Sequence, residues 1–366
     1  MSKKVLFISN HAGFSKFNAP YMEALHKAGY IVHNASPGIE TGYHDKQYDM
    51  PISRSPISFG NLVSWFKLIK VAREEKYDLI HCHTPVGGVI GRLLKPFTSK
   101  TKVIYTAHGF HFFRGSSIFM WVAYFPIEYI LSYITDCLVT INEEDYQFAN
   151  KQLKCDSVFK INGVGVNLDR FRPVESVRKN YRSKLNFNND DFVLVYAAQF
   201  ISRKNHRFLL DCVANFKGTD KLKLLLVGDG PLLNDIRSLC TELRVNERVH
   251  FAGYVTNIED YYSCADALVS CSNQEGFGLN LVEGLAAGLP YLASDVRGHR
   301  DIHNQTPSNL LFKLGDADDF DSKLELLINT SSSINKPVES CMLDARKFKV
   351  SYSVDMMMSI YSRFLR

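Results

Sequence analysis

No two of the eight cysteines stand in a CxxC pair. They are scattered at 82, 137, 155, 212, 240, 264, 271 and 341. Several, such as Cys137 and Cys271, sit inside apolar strand-like runs, where a thiol behaves as a small buried hydrophobe. That argues against a disulfide framework and for a reducing, cytoplasmic setting. Long hydrophobic runs are missing too. The longest uninterrupted apolar stretch, 118–125, falls far short of the roughly 20 residues that a membrane span requires. The run Val5-Leu6-Phe7-Ile8 is too short for a secretory leader and reads as a first strand. There is no strict internal repeat and no low-complexity tract. A formal net charge of +5 is mild and forms no basic stripe, which speaks against a nucleic-acid partner. No Asp-x-Asp follows a strand; Asp316-Ala317-Asp318 lies in a late, surface-like segment. His81 and His83 share one face of a strand end, but no third ligand accompanies them, so no metal site is expected.

What is present is the rhythm of an α/β protein. The 366 residues exceed what one hydrophobic core usually serves, so two domains are expected. Short apolar runs alternate with amphipathic stretches, the pattern of parallel sheets covered by helices. Strands are predicted at 5–9, 31–34, 79–82, 103–106 and 137–140. A second series falls at 192–197, 222–227, 249–252, 267–270 and 291–294. Between them, 163–173 is rich in glycine, ends in Pro173 and loses periodicity, which marks a hinge. The reading is an N-terminal domain over 1–165, a C-terminal domain over 174–343 and a final helix over 344–366. Residues 330–333 read as a loop. Two such domains imply a ligand cleft at the carboxyl ends of the strands.

The most informative segment follows the strand at 267–270. It runs Glu275-Gly276-Phe277-Gly278-Leu279, reaches Glu283, and closes at Ala286-Ala287-Gly288-Leu289-Pro290. Glycines let a ligand approach the backbone, and a helix starting near Leu279 would offer bare amides and its positive dipole end to a diphosphate. Glu275 and Glu283 would each accept hydrogen bonds from vicinal hydroxyls, of a sugar and of a ribose respectively. Glutamates among glycines, taken alone, read more readily as a solvated loop and a helix-start carboxylate; it is the ordered motif that reverses the balance.

This segment resembles the EX7E motif of glycosyltransferase family four, retaining enzymes of the GT-B fold. The likeness spans nearly the whole chain. The segments 81–88, 105–111 and 140–145 resemble the bacterial capsule and exopolysaccharide branch. The resemblance implies two Rossmann-like α/β/α domains facing a central cleft, with a C-terminal helix returning to the N-terminal domain. It implies transfer of a hexose or N-acetylhexosamine from a nucleoside diphosphate, UDP by preference, to a polyprenyl-diphosphate-linked saccharide, with no cofactor and no metal. Glu275 would then orient the sugar, and Gly276, Phe277, Gly278 and Leu279 would border the phosphates. Glu283 would hold the ribose. Arg203 and Lys204, after the strand at 192–197, would neutralise the leaving diphosphate, with Arg203 the firmer match because the family's lysine often stands further on. Gly228 borders the nucleotide in the family, and Tyr254 and Val255 match its base-binding position. His108 matches a histidine important for turnover, with His111 as its competitor. Gly13 stands alone where many relatives carry a paired-glycine loop.

Two segments bear on the acceptor side. Leu62, Trp65, Phe66, Ile69 and Ala72 recur at helical spacing beside Lys67, Lys70 and Arg73. Such a helix either faces a core or rests on an anionic membrane surface. The aromatic stretch 110–134 reads as a buried helix or as a lip for a lipid-linked acceptor. Peripheral association with the inner face of the cell membrane is therefore kept open beside a cytoplasmic location. Other readings are a nucleotide-sugar 2-epimerase of the same layout and a non-catalytic partner subunit. No motif encodes the sugar, the linkage or the oligomeric state.

Overall fold

The computed structural model describes all residues except 1, 12–14, 39–41, 99, 305–308, 333–337 and 366. The chain divides into two compact units, Met1–Gly165 with Val350–Arg366, and Val166–Lys349.

The first unit holds strands β1 (Lys4–Ile8), β2 (Ile31–Ser36), β3 (Lys46–Asp49), β4 (Leu79–His83), β5 (Lys102–Ala107), β6 (Cys137–Thr140) and β7 (Ser157–Lys160). They form one seven-stranded sheet in the order β3-β2-β1-β4-β5-β6-β7, every pair parallel. The second unit holds β8 (Phe192–Ala197), β9 (Leu222–Val227), β10 (Val249–Gly253), β11 (Ala267–Ser270), β12 (Tyr291–Ser294) and β13 (Asn309–Phe312). These order as β10-β9-β8-β11-β12-β13, again all parallel. Both sheets are doubly wound. Their direction of growth reverses between β1 and β4 and between β8 and β11, the places where such sheets open a crevice beyond the strand ends.

The central strands are largely apolar because helices cover both faces of a parallel sheet, with buried His81 and His83 on β4 the main exception. Leu194 and Tyr196 of β8, Leu224 and Leu226 of β9, and Val269 of β11 lie in the second unit's core with Phe200, Leu209 and Phe320. The first unit packs Leu6, Ile8, Ile80, Val103 and Tyr105 with Leu68 and Ala72. All eight cysteines are free, and all but the half-buried Cys155 are buried.

Strands β3, β7 and β13 were not anticipated. All three are sheet edges. Lys46-Gln47-Tyr48-Asp49 is polar because an edge strand needs one paired side and tolerates charge on the other. Residues 330–332 are helical, as the last turn of Ala317–Ser332, while Ser333 lies outside the described residues. Asp316 precedes that helix and accepts from the Asp319 amide at 3.1 Å, which is capping rather than metal ligation.

The final helix is Val350–Phe364, shorter than predicted, with a separate helix at Glu339–Ala345 before it. It belongs to the first unit. Ser353 donates to the Gly163 carbonyl at 3.1 Å, and the Tyr361 hydroxyl meets His81 Nδ1 at 2.7 Å. The helix Phe59–Glu75 buries Leu68, Ile69 and Ala72, but Leu62 and Phe66 of the predicted stripe are exposed.

Candidate functional site

In the second unit the loops after β8 and β11 are stitched together. The Tyr196 hydroxyl donates to the Lys204 carbonyl at 2.7 Å and lies 3.1 Å from Ser272 Oγ. The Asn273 amide donates to the Arg203 carbonyl at 2.8 Å. This brings the two predicted cations to the predicted carboxylate. Lys204 Nζ ion-pairs with Glu275 Oε1, and Arg203 Nη1 lies 3.4 Å from Oε2. Lys204 is the closer to Glu275 and the more buried of the two. Arg203 is nearly half exposed and also reaches the Gln274 carbonyl. Glu275 is only 5% exposed. Burial works to raise its pKa, but Lys204, then His299 and Arg203, outweigh it and hold the carboxyl below its ordinary value.

Immediately after this carboxylate, Gly278 opens the helix Leu279–Ala286. The first turn has no acidic residue and Gly278 offers no side-chain cap; within the turn the Leu281 amide donates to Asn280 Oδ1 at 3.0 Å, so no charge offsets the positive end of the dipole. The buried Phe277 ring packs 5.5 Å from that of Phe348. Glu283 sits one turn on, accepting from the Tyr262 hydroxyl at 3.0 Å. Burial raises its pKa to about 7, partly countered by Tyr262 and Arg170.

Gly228, after β9, has φ 144°, and a Cβ there would stand 2.1 Å from the Ala198 carbonyl oxygen. Only glycine lets these two strand ends lie so close. The Gly228 amide donates to the Gly253 carbonyl at 2.9 Å, drawing the end of β10 alongside. Tyr254 follows that strand with its side chain exposed, and Val255 is half-buried.

His108 belongs to the first unit, directly after β5. Its Nε2 lies 3.2 Å from His83 Nδ1, and burial holds its pKa down to about 4. His81 Nε2 meets Thr106 Oγ1 at 2.8 Å. With Tyr361 on its other nitrogen, His81 is a satisfied core residue, and burial depresses its pKa to about 3. His111 stacks on Tyr124 at 4.6 Å. Among the described residues no group of three or more His, Cys, Asp and Glu could hold a metal ion. Gly13 lies outside the described residues.

The sequence reading missed the segment that braces this loop from behind. Arg297 Nε donates to the Glu275 carbonyl at 3.3 Å. A Cβ on Gly298 would stand 2.8 Å from the Phe277 amide nitrogen and 2.9 Å from the Glu275 carbonyl oxygen. His299 is fully buried, with Nδ1 2.8 Å from the Ser294 carbonyl and its ring where a Gly278 side chain would need to go. The available signal was Arg297-Gly298-His299 two residues beyond a strand, a glycine between two chemically capable residues.

Two family models match the chain: "Glycosyl transferase 4-like" over residues 4–142 and "Glycosyl transferases group 1" over 177–340. EpsD of Bacillus subtilis is 38% identical over 372 residues, covering 100% of this chain and 98% of EpsD. The chain belongs to the group 1, family-four glycosyltransferases. A capsular polysaccharide biosynthesis glycosyltransferase, CapM of Staphylococcus aureus, is 25% identical over 85% of this glycosyltransferase and 84% of its own length. The fold is GT-B. Sucrose-phosphate synthase of Thermosynechococcus elongatus superposes with a TM-score of 0.84 at 20% identity over 99% of each chain. Anabaena HepE, solved with UDP and glucose, gives 0.80 at 16% identity over 99% of this chain and 100% of HepE.

Proposed function

We propose that this glycosyltransferase moves a hexose or N-acetylhexosamine from a UDP-sugar to a lipid-linked saccharide precursor of a bacterial surface polysaccharide, retaining the anomeric configuration. The observation that carries the reading is the pairing of Lys204 and Arg203 with Glu275, beside an acid-free helix start where β8 and β11 diverge. The UDP complex of HepE supports the donor class. An Escherichia coli relative supports the acceptor class: a UDP-galactose:N-acetylglucosaminyl-diphosphoundecaprenol galactosyltransferase, 27% identical over 71% of this chain and 68% of its own length.

In this reading the diphosphate binds at the amides around Gly278 and draws the two cations onto itself. Glu275 then turns to the sugar hydroxyls, and Glu283 accepts from the ribose. Phosphate contacts of Gly228 and base contacts at Tyr254 and Val255 complete the donor site. The bond from C1 to the phosphate oxygen breaks first, its electron pair leaving on the phosphate. The acceptor hydroxyl bonds to C1 on the same face, and its proton passes to the departing phosphate oxygen. Neither a protein base nor a metal is needed. His108, neutral at pH 7, donates a hydrogen bond to the transferred sugar rather than a proton.

The test is transfer from a UDP-sugar panel to a lipid-linked acceptor, with the new anomeric proton read by NMR. Glu275→Gln and Arg203→Ala at saturating donor are each expected to lower kcat by about 100-fold or more, the usual loss of a transition-state charge partner. Turnover near wild type in both would remove the site assignment, and an inverted product would remove the mechanism.

A further inference from the structure

The turn Leu168–Phe171 lies in the glycine-rich segment between the two sheets and belongs to the second unit. It touches two elements of the nucleoside subsite. Arg170 Nη2 donates to the Thr256 carbonyl at 2.6 Å. The same Nη2 and Nε also donate to Glu259 Oε2, at 2.7 and 3.0 Å. Beside it, Phe171 is buried with its ring 5.9 Å from that of Tyr262, whose hydroxyl donates to Glu283. Glu259 and Tyr262 stand on one short helix, Ile258–Cys264, so adjacent residues of the turn grip it at two places.

A base read by backbone groups is read only as well as those peptide planes are fixed. The Tyr254 side chain is 74% exposed and does not hold its own segment in place. The segment 254–255 is held by its ends instead. On one side the Gly253 carbonyl accepts from the Gly228 amide at 2.9 Å. On the other the Thr256 carbonyl accepts from Arg170. Because a peptide unit is planar, fixing that carbonyl also fixes the direction of the next N–H and restricts ψ at 256. The guanidinium can serve as the fixed point because its rigid fork places Nε and one Nη2 hydrogen on the Glu259 carboxylate and keeps a second Nη2 hydrogen for the carbonyl.

We propose that Arg170 is a positioning residue for base selectivity, holding the backbone of residues 254–256 in the orientation that meets the hydrogen-bonding edge of uracil. The proposal rests on the base contacts assigned to Tyr254 and Val255. Fixed polar groups discriminate strongly, since a base of the wrong pattern leaves them unpaired, whereas a loosened loop can turn to suit either base. The Arg170 side chain is 44% exposed, so its removal frees the loop without opening a cavity in the core.

Calorimetric dissociation constants of the full chain for UDP, ADP and GDP read the selectivity directly. In Arg170→Ala the melting temperature is expected to stay close to wild type. UDP affinity should weaken about tenfold and ADP affinity change by less than about twofold, the difference being the worth of one well-placed hydrogen bond. Glu259→Gln leaves an amide oxygen for the guanidinium and is expected to keep most of the selectivity. An effect passed through Glu283 acts on the ribose, which all these nucleotides share, and cancels in the ratio. General loosening of the unit likewise lowers every affinity together. If Arg170→Ala keeps the wild-type ratio of UDP to ADP affinity, the proposal is overturned while UDP stands as the donor nucleotide. Equal affinities in the wild type overturn it too, since no base is then being read. A wild-type preference for ADP or GDP removes the UDP assignment by itself; the role of Arg170 then holds if Arg170→Ala narrows that preference and falls if it does not.

Discussion

At the scale of single residues, the account turns on two carboxylates with opposite electrostatics. Glu275 is buried but ionised, held so chiefly against its own desolvation by Lys204. Lys204→Ala is therefore expected to lower stability by about 3 kcal/mol, the cost of stranding a buried charge. Adding Glu275→Gln should recover most of that loss, because the stranded charge is gone; urea titrations of the three variants decide it. Glu283 is the reverse case, raised to about 7 from 4.5 by burial. The folded state holds that proton more tightly than the unfolded chain. The stability this contributes is complete below about pH 4.5 and is lost as pH rises to 7, a swing of about 3 kcal/mol. Glu283→Gln should flatten that slope in denaturation curves across the same window. A ribose diol needs the ionised carboxylate, so UDP affinity should weaken as pH falls through 7. Calorimetry in buffers of different ionisation enthalpy should then show a proton released on binding below pH 7. Both carboxylates were legible in the sequence, since their spacing and the glycines between them are a motif. Their charge states were not, because burial by Tyr262 and pairing with Lys204 arise from residues 21 and 71 positions away.

At the scale of elements, the helix Leu279–Ala286 and the loop before it are held from behind by residues 297–299. Gly298→Ala places a methyl within 2.9 Å of the Glu275 carbonyl oxygen, the Gly276 carbonyl carbon and the Phe277 amide, all of them backbone, so the loop must shift. Because small misplacements of positioned groups are costly, kcat/KM is expected to fall about 100-fold, far out of proportion to the change in melting temperature. Turnover that simply tracks the folded fraction would show the brace to be structural only. Central strands were readable because burial on both faces makes them predominantly apolar. The edges β3 and β7 were not, since Lys46 and Asp49 or Ser157 and Lys160 answer to solvent as much as to the sheet, and the third missed edge, β13, is only four residues long. The segment 110–134 offered two alternatives, core or exposed lip, and the helix within it is both: aromatic inside and apolar outside, with Glu128 turned in.

At the scale of the whole molecule, one strand order occurs twice, β3-β2-β1-β4-β5-β6 in the first unit and β10-β9-β8-β11-β12-β13 in the second. Each unit carries its own crevice at the reversal, and the residues found there differ: histidines in the first, cations and carboxylates in the second. That division of labour underlies the central claim that the second unit holds the UDP-sugar. The most direct test is the melting temperature of the full chain with UDP at about 100 times its dissociation constant, where binding should add roughly 2.7 kcal/mol. The account predicts an upward shift with UDP and one UDP-sugar, lost in Glu283→Ala. No shift with any nucleotide, or an equal shift in Glu283→Ala, would contradict it.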